Sequence, residues 1–107
     1  NRPVTTFLYN KIMKFEWDEN KNHRNLLKHG ISFEDAALIF TDKNSLSIYD
    51  EYNSVNEDRW ITMGSHPKND IYVVVHTYRK LNNEESIRII SARRATKNEM
   101  KQYFESK

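Results

Sequence analysis

The pattern of apolar and polar positions changes period twice along the chain. Residues 14–17, Lys14-Phe15-Glu16-Trp17, alternate and predict a short strand with one buried face. A helical stretch follows. Asp18 suits a helix N-cap, and residues 19–29 contain no Pro or Gly and end on Lys28 and His29, cations that complement a helix C-terminus. Leu26 and Leu27 are expected to supply the apolar contacts of this helix, and Gly30 fits the left-handed position beyond its end. Ser32 starts a second helix, with Asp35 at capping-box spacing. Phe33, Ala36, Ala37 and Phe40 recur on one side of it, so it is expected to pack on a sheet.

From residue 46 the period falls to two. Residues 46–49 and 60–63 alternate, and 71–78 and 87–92 are rich in β-branched and aromatic side chains. The turn at 66–70 and the link at 81–85 are short enough to join antiparallel neighbours. Thr96 and Glu99 have capping-box spacing, and Met100, Tyr103 and Phe104 give the last helix an apolar side. The predicted order is β-α-α-β-β-β-β-α. It describes an α+β fold in which an antiparallel sheet carries its helices on one face.

A chain of 107 residues suffices for one domain, assigned to residues 13–107; residues 1–12, before the internal Met13, are set apart as an N-terminal extension or upstream sequence. There is no cysteine, which removes thiolate metal sites, disulfides and a Cys nucleophile. With two glycines the chain has no Walker loop, GxGxxG or GxSxG. His23, His29, His66 and His76 are too scattered for a metal motif. Neither a metal nor a cofactor is expected. No apolar stretch approaches the roughly 20 residues of a membrane span, so no membrane role and a cytoplasmic location are expected. The net charge of +2 is too small to identify a partner, so the placement of the charges matters more.

Strand parity places them. Along 71–78, Ile71, Val73 and Val75 share one face, and Tyr72, Val74, His76 and Tyr78 share the other. Regular pairing of the hairpins then groups Trp60, His76, Tyr78 and Arg88 on a helix-free face, with Arg59 and Arg79 at the same end. Aromatic rings can stack on bases, and arginines can pair with phosphates. Such side chains also serve β-propensity and solubility alone. What the residue types allow is metal-free acid–base work on a phosphodiester. His76 is the candidate for proton transfer, with Arg59, Arg79 and Arg88 as charge clamps. The simpler reading of His76 is a strand histidine hydrogen-bonded to a neighbour. Lys28 has the simpler reading of a helix C-terminal cation.

These segments resemble the BrnT family of bacterial toxins. The likeness runs through residues 15–21, through residues 25–36 with Lys28-His29-Gly30 and Ser32-Phe33-Glu34 as their specific part, through residues 58–64 and 73–79, and through residues 87–96 with Arg88-Ile89-Ile90-Ser91-Ala92-Arg93-Arg94-Ala95-Thr96. Asp58-Arg59 replaces a common Glu-Arg, and Tyr78 stands where Glu is frequent. The resemblance implies a RelE-like fold and a ribonuclease toxin that blocks translation. It implies neutralisation by a BrnA-like antitoxin, which also carries DNA binding, in an assembly of two toxins and two antitoxins. On this reading Arg59, His76, Arg79 and Arg88 are catalytic, and Trp60, Tyr78, Arg93, Arg94 and Lys28 contact RNA. The alternative is a non-catalytic RNA- or protein-binding module. A direct DNA-binding repressor is a third reading, but no basic recognition helix supports it.

Overall fold

The computed structural model describes residues 4–8 and 13–106. Six strands, β1 (Val4–Leu8), β2 (Lys14–Asp18), β3 (Leu46–Tyr49), β4 (Trp60–Ser65), β5 (Ile71–Leu81) and β6 (Glu84–Arg94), form one sheet in the order β1-β2-β6-β5-β4-β3. The helices are α1 (Glu19–His29), α2 (Phe33–Ala37), continued by a 3₁₀ turn at Leu38–Thr41, and α3 (Lys97–Glu105). The sheet is mixed rather than antiparallel: β2 runs parallel to β6, pairing Phe15 with Ile87 and Glu16 with Arg88. A parallel pair needs a long crossover, here everything from α1 to β5. Part of the stretch set apart as an extension, Val4–Leu8, pairs antiparallel with β2 as an edge strand; residues 1–3 and 9–12 lie outside the described residues.

The capping signals work as their chemistry suggests. Asp18 Oδ1 accepts from the amides of Asn20 (2.9 Å) and Lys21 (3.4 Å), and Gly30 takes φ 72° after α1. Thr96 and Glu99 form a reciprocal capping box on α3. The inward face of α1 is different from expectation. Leu26 and Leu27 are exposed, and Asn22 and Asn25 are buried. Asn25 donates to the carbonyls of Ala92 (2.9 Å) and Ile31 (3.0 Å) and accepts from the Ala92 amide (3.1 Å). Its side-chain amide thus pairs with β6 as a neighbouring strand would, satisfying buried backbone groups past the short β2 contact.

The helices lie on both faces, not one. On the first face Phe15, Trp17, Phe33, Ile39, Val74 and Ile89 form a core under α1, α2 and the 3₁₀ turn. On the second, Met63, Ile71 and Val73 pack against Tyr103 of α3. A strand buried on both sides needs apolar residues at both parities, which β5 supplies. The 3₁₀ turn approaches β4 so closely that a Cβ on Gly64 would lie 3.0 Å from the Ile39 carbonyl oxygen and 3.1 Å from Ile39 Cβ.

β6 carries one irregularity that decides the site. Val75 pairs with Ser91, but His76 pairs with Ile89, so Ile90 is an extra, bulged residue. The bulge reverses parity along β6. Beyond it Ala92 sits on the α1 face; before it Ile87 and Ile89 do. Arg88 is thereby turned to the α3 face, opposite Thr77 rather than beside Tyr78.

Candidate functional site

The half of the α3 face away from α3 carries four side chains in one cross-strand row. Glu16 on β2 pairs with Arg88 on β6, and Arg88 with Thr77 on β5. Because Trp60 pairs with His76, one step outward sets Arg59 opposite Thr77. The next row holds Arg79 on β5 opposite Ser86 on β6. Lys14 follows Ser86, one step from the Phe15–Ile87 pair. Glu16 thus has Arg88 beside it across the strands and Arg79 and Lys14 one row away, with Thr77 and Arg59 further along the row.

The contacts among these groups are polar and loosely held. Ser86 Oγ donates to Glu16 Oε1 at 3.1 Å, and Arg79 Nε stands 3.6 Å from the same oxygen. The Glu16 side chain is 19% exposed, against 52% for Arg79, so the carboxylate is sheltered but reachable. Lys14, Glu16, Arg79, Asn82, Glu84 and Ser86 line a cleft of about 240 Å³. Lys14 Nζ lies 3.4 Å from Glu84 on the rim. The turn that closes this end, Asn82-Asn83, has positive φ at both residues, the requirement of a two-residue hairpin loop matched to strand twist.

Arg59 enters the row from the β3–β4 loop, which is pinned. Its amide donates to Ser54 Oγ (2.9 Å), its carbonyl accepts from the Asp50 amide (2.9 Å), and Ser54 Oγ donates to the Asp50 carbonyl (2.6 Å). Arg59 Nε is 3.7 Å from Glu57 and buried without a hydrogen-bond partner among the described residues. Thr77 Oγ1, between Arg59 and Arg88, is also buried and unpartnered there. Two unsatisfied donors at one spot are costly unless something accepts from them.

The structure does not bring His76 into this row. Its side chain is fully buried on the α1 face, 4.9 Å from the Phe40 ring and 5.2 Å from Tyr78, with Nε2 bonded to Thr62 Oγ1 at 2.6 Å. Burial lowers its pKa to about 4, because a charged imidazole there loses its hydration, so the ring is neutral at pH 7. The expected grouping of Trp60, His76, Tyr78 and Arg88 is thus corrected. The first three share a face, half of it under helices; the bulge turns Arg88 to the other side. Trp60 stacks edge to face between Tyr49 (5.4 Å) and Tyr78 (6.0 Å) on that α1 face.

The other basic residues lie apart from the row. Arg93 forms a two-pronged pair with Glu99 of α3 (2.7 and 3.0 Å), and this bond holds the Glu99 carboxyl down at about 2. Arg94 faces the α1 side, 3.3 Å from Asp70 and over the Tyr72 ring. Lys28 is exposed on α1, across the sheet from the arginines. Sequence reasoning missed Glu16, Ser86, Thr77 and Lys14. The available signal was Glu16 alternating with the buried Phe15 and Trp17, which aims it at the other face. Among the described residues no three His, Asp or Glu side chains are close enough to hold a metal ion, and no helix is long and apolar enough to cross a membrane.

Comparison with known proteins places this architecture. The crystal structure of the Brucella abortus ribonuclease toxin, BrnT, superposes with a TM-score of 0.52 at 24% identity, over 76% of this chain and 94% of that one. That likeness shows the fold. A search of curated proteins finds no match. A family model, that of the ribonuclease toxin, BrnT, of type II toxin–antitoxin systems, matches residues 17–99. Most of the chain falls within that match, and the chain belongs to the BrnT family of ribonuclease toxins of type II toxin–antitoxin systems.

Proposed function

We propose that the chain is an endoribonuclease that cleaves RNA without a metal, at the row formed by Arg59, Thr77, Arg88 and Glu16. The observation that carries this reading is the placement of Arg79 and Arg88 beside the sheltered Glu16 carboxylate, with Arg59 further along the same cross-strand row. Glu16 takes the proton of the 2′-hydroxyl. The 2′-oxygen then bonds to phosphorus, and the bond from phosphorus to the 5′-oxygen breaks. The leaving oxygen takes a proton from the ammonium of Lys14, which borders the same cleft. The products are a 2′,3′-cyclic phosphate and a 5′-hydroxyl end. The arginines and the Thr77 hydroxyl hold the phosphate and offset the charge that builds on it in the transition state. His76 has no part in this chemistry, being buried and neutral.

Cleavage of RNA in the cytoplasm would halt translation, and a BrnA-like antitoxin would neutralise the toxin and supply DNA binding. A two-to-two assembly of toxin and antitoxin completes the proposal. The test is purified toxin on a labelled RNA, in EDTA, beside growth of bacteria expressing each variant. Wild type is expected to arrest growth and to leave cyclic-phosphate ends. Arg88→Ala and Glu16→Gln are expected to cut the rate by roughly 10²–10³-fold, the scale for losing a transition-state charge contact or a positioned base. Absence of both growth arrest and cleavage in wild type would sink the proposal. Tight RNA binding without cleavage would instead establish a non-catalytic binding module.

A further inference from the structure

The α3 face continues past the arginine row into an apolar groove. Leu46, Ile48, Ile61, Met63 and Val73 line it, with Glu99 and Gln102 of α3 on its rim. At about 160 Å³ it falls below the range of small-molecule sites and has room for one or two aliphatic side chains. Ile48 is 62% exposed, on β3, an edge strand with a single strand neighbour among the described residues. An open edge with a projecting isoleucine invites another chain to pair with it.

Two observations say which chain. Membership in a type II toxin–antitoxin family gives the protein an antitoxin partner. Charge gives the partner's chemistry. The Ile48–Ile61–Val75 row adjoins the row of Arg59 and Thr77, one alternation along the strands or roughly 7 Å. A strand added beside β3 would lie two strand spacings from Arg59, about 10 Å, which a glutamate and an arginine side chain span between them. RNA fits the groove poorly, since the lining is apolar and the Glu99 carboxylate sits on its rim.

We propose that β3 and this groove are the docking site of the antitoxin. An extended antitoxin segment adds a strand to β3 and sets apolar side chains against Ile48 and Leu46. It places a carboxylate two residues further along on Arg59. Neutralisation then follows from salt-bridging and covering the arginine row. Only the last step rests on the ribonuclease reading; docking does not.

The experiment measures the affinity of the cognate antitoxin, produced from the neighbouring reading frame, for wild-type toxin and for Ile48→Asp. Growth rescue by co-expressed antitoxin and RNA cleavage by the isolated toxin are measured alongside. Ile48 is largely exposed, so the substitution is expected to leave the melting temperature and the cleavage rate unchanged. It should weaken antitoxin binding at least 100-fold and abolish rescue. Unchanged affinity and rescue would overturn the proposal. So would a loss of cleavage in Ile48→Asp, which would place RNA in the groove. A free toxin that dimerises through Ile48, with antitoxin affinity unaffected by the substitution, would assign the groove to a second copy instead. If wild type cleaves nothing but Ile48→Asp still loses the antitoxin, docking stands and the ribonuclease site falls.

Discussion

At the scale of single residues, the proposed mechanism passes the proton-transfer role from His76 to Glu16. Histidine is the side chain that residue type alone recommends for proton transfer near neutral pH. Here its environment removes it: the ring is sealed between Phe40 and Tyr78 and kept neutral by desolvation. A stability signature follows. The unfolded chain protonates this histidine near 6.5, whereas the folded chain holds off until about 4. Between those values the unfolded state binds more protons, so stability is fully present above the window and falls as pH drops through it. The loss for this one group amounts to on the order of 3 kcal/mol. Urea unfolding at pH 7 and pH 5 is expected to show about 2 kcal/mol of it, and His76→Gln should lower the difference between the two pH values. An equal pH dependence in the variant would mean the buried ring is not the group responsible. Arg59 and Arg79 were legible from the sequence as residues at one end of one sheet. Glu16 was less so, since its alternation with Phe15 and Trp17 gave the face but not the neighbour.

At the scale of elements, existence was easier to read than orientation. Caps at Asp18, Ser32 and Thr96 are local chemistry, and all three side chains accept from the amides their spacing implies. The bulge at Ile90 left no such mark. Arg88-Ile89-Ile90-Ser91-Ala92 alternates only imperfectly, and regular pairing is the default until a register is seen. That single extra residue moved Arg88 across the sheet. Gly64 is a comparable case, since a glycine in a strand signals close approach without naming what approaches. It is the 3₁₀ turn after α2, at Ile39. Gly64→Ala is therefore expected to force that turn outward and to cost about 1–3 kcal/mol, the range for overpacking a filled core. A shift of the urea midpoint with an unchanged slope would register it. Wild-type stability in the variant would show that the turn yields freely, and that it does not fix how α2 sits on the sheet.

At the scale of the whole molecule, the sheet is a partition. Half of its α1 face is committed to the core, with Tyr49, Trp60 and Tyr78 on the rest, and its α3 face is divided between a helix, a groove and the arginine row. Near-continuous apolar character in 71–75 fits a strand covered on both faces, though the helices were expected on one alone. The parallel union of β2 with β6 was not legible, because strand residues do not name partners that lie most of the chain away. A net charge of +2 gives little long-range attraction, so under the proposed function affinity for RNA comes from the local row. This has a measurable consequence. Each phosphate neutralised on a single strand contributes about 0.7 to the slope of log affinity against log salt. With Arg59, Arg79 and Arg88 each on a phosphate oxygen, the slope for Glu16→Gln toxin, slowed so that RNA survives the titration, should be about −2. Adding Arg88→Ala should reduce its magnitude by about 0.7, whereas adding Arg94→Ala, on the other face beside Asp70, should leave it unchanged. Equal losses from the two substitutions would mean that RNA is drawn by overall basicity, and the division of the molecule into a structural face and a working face would fail.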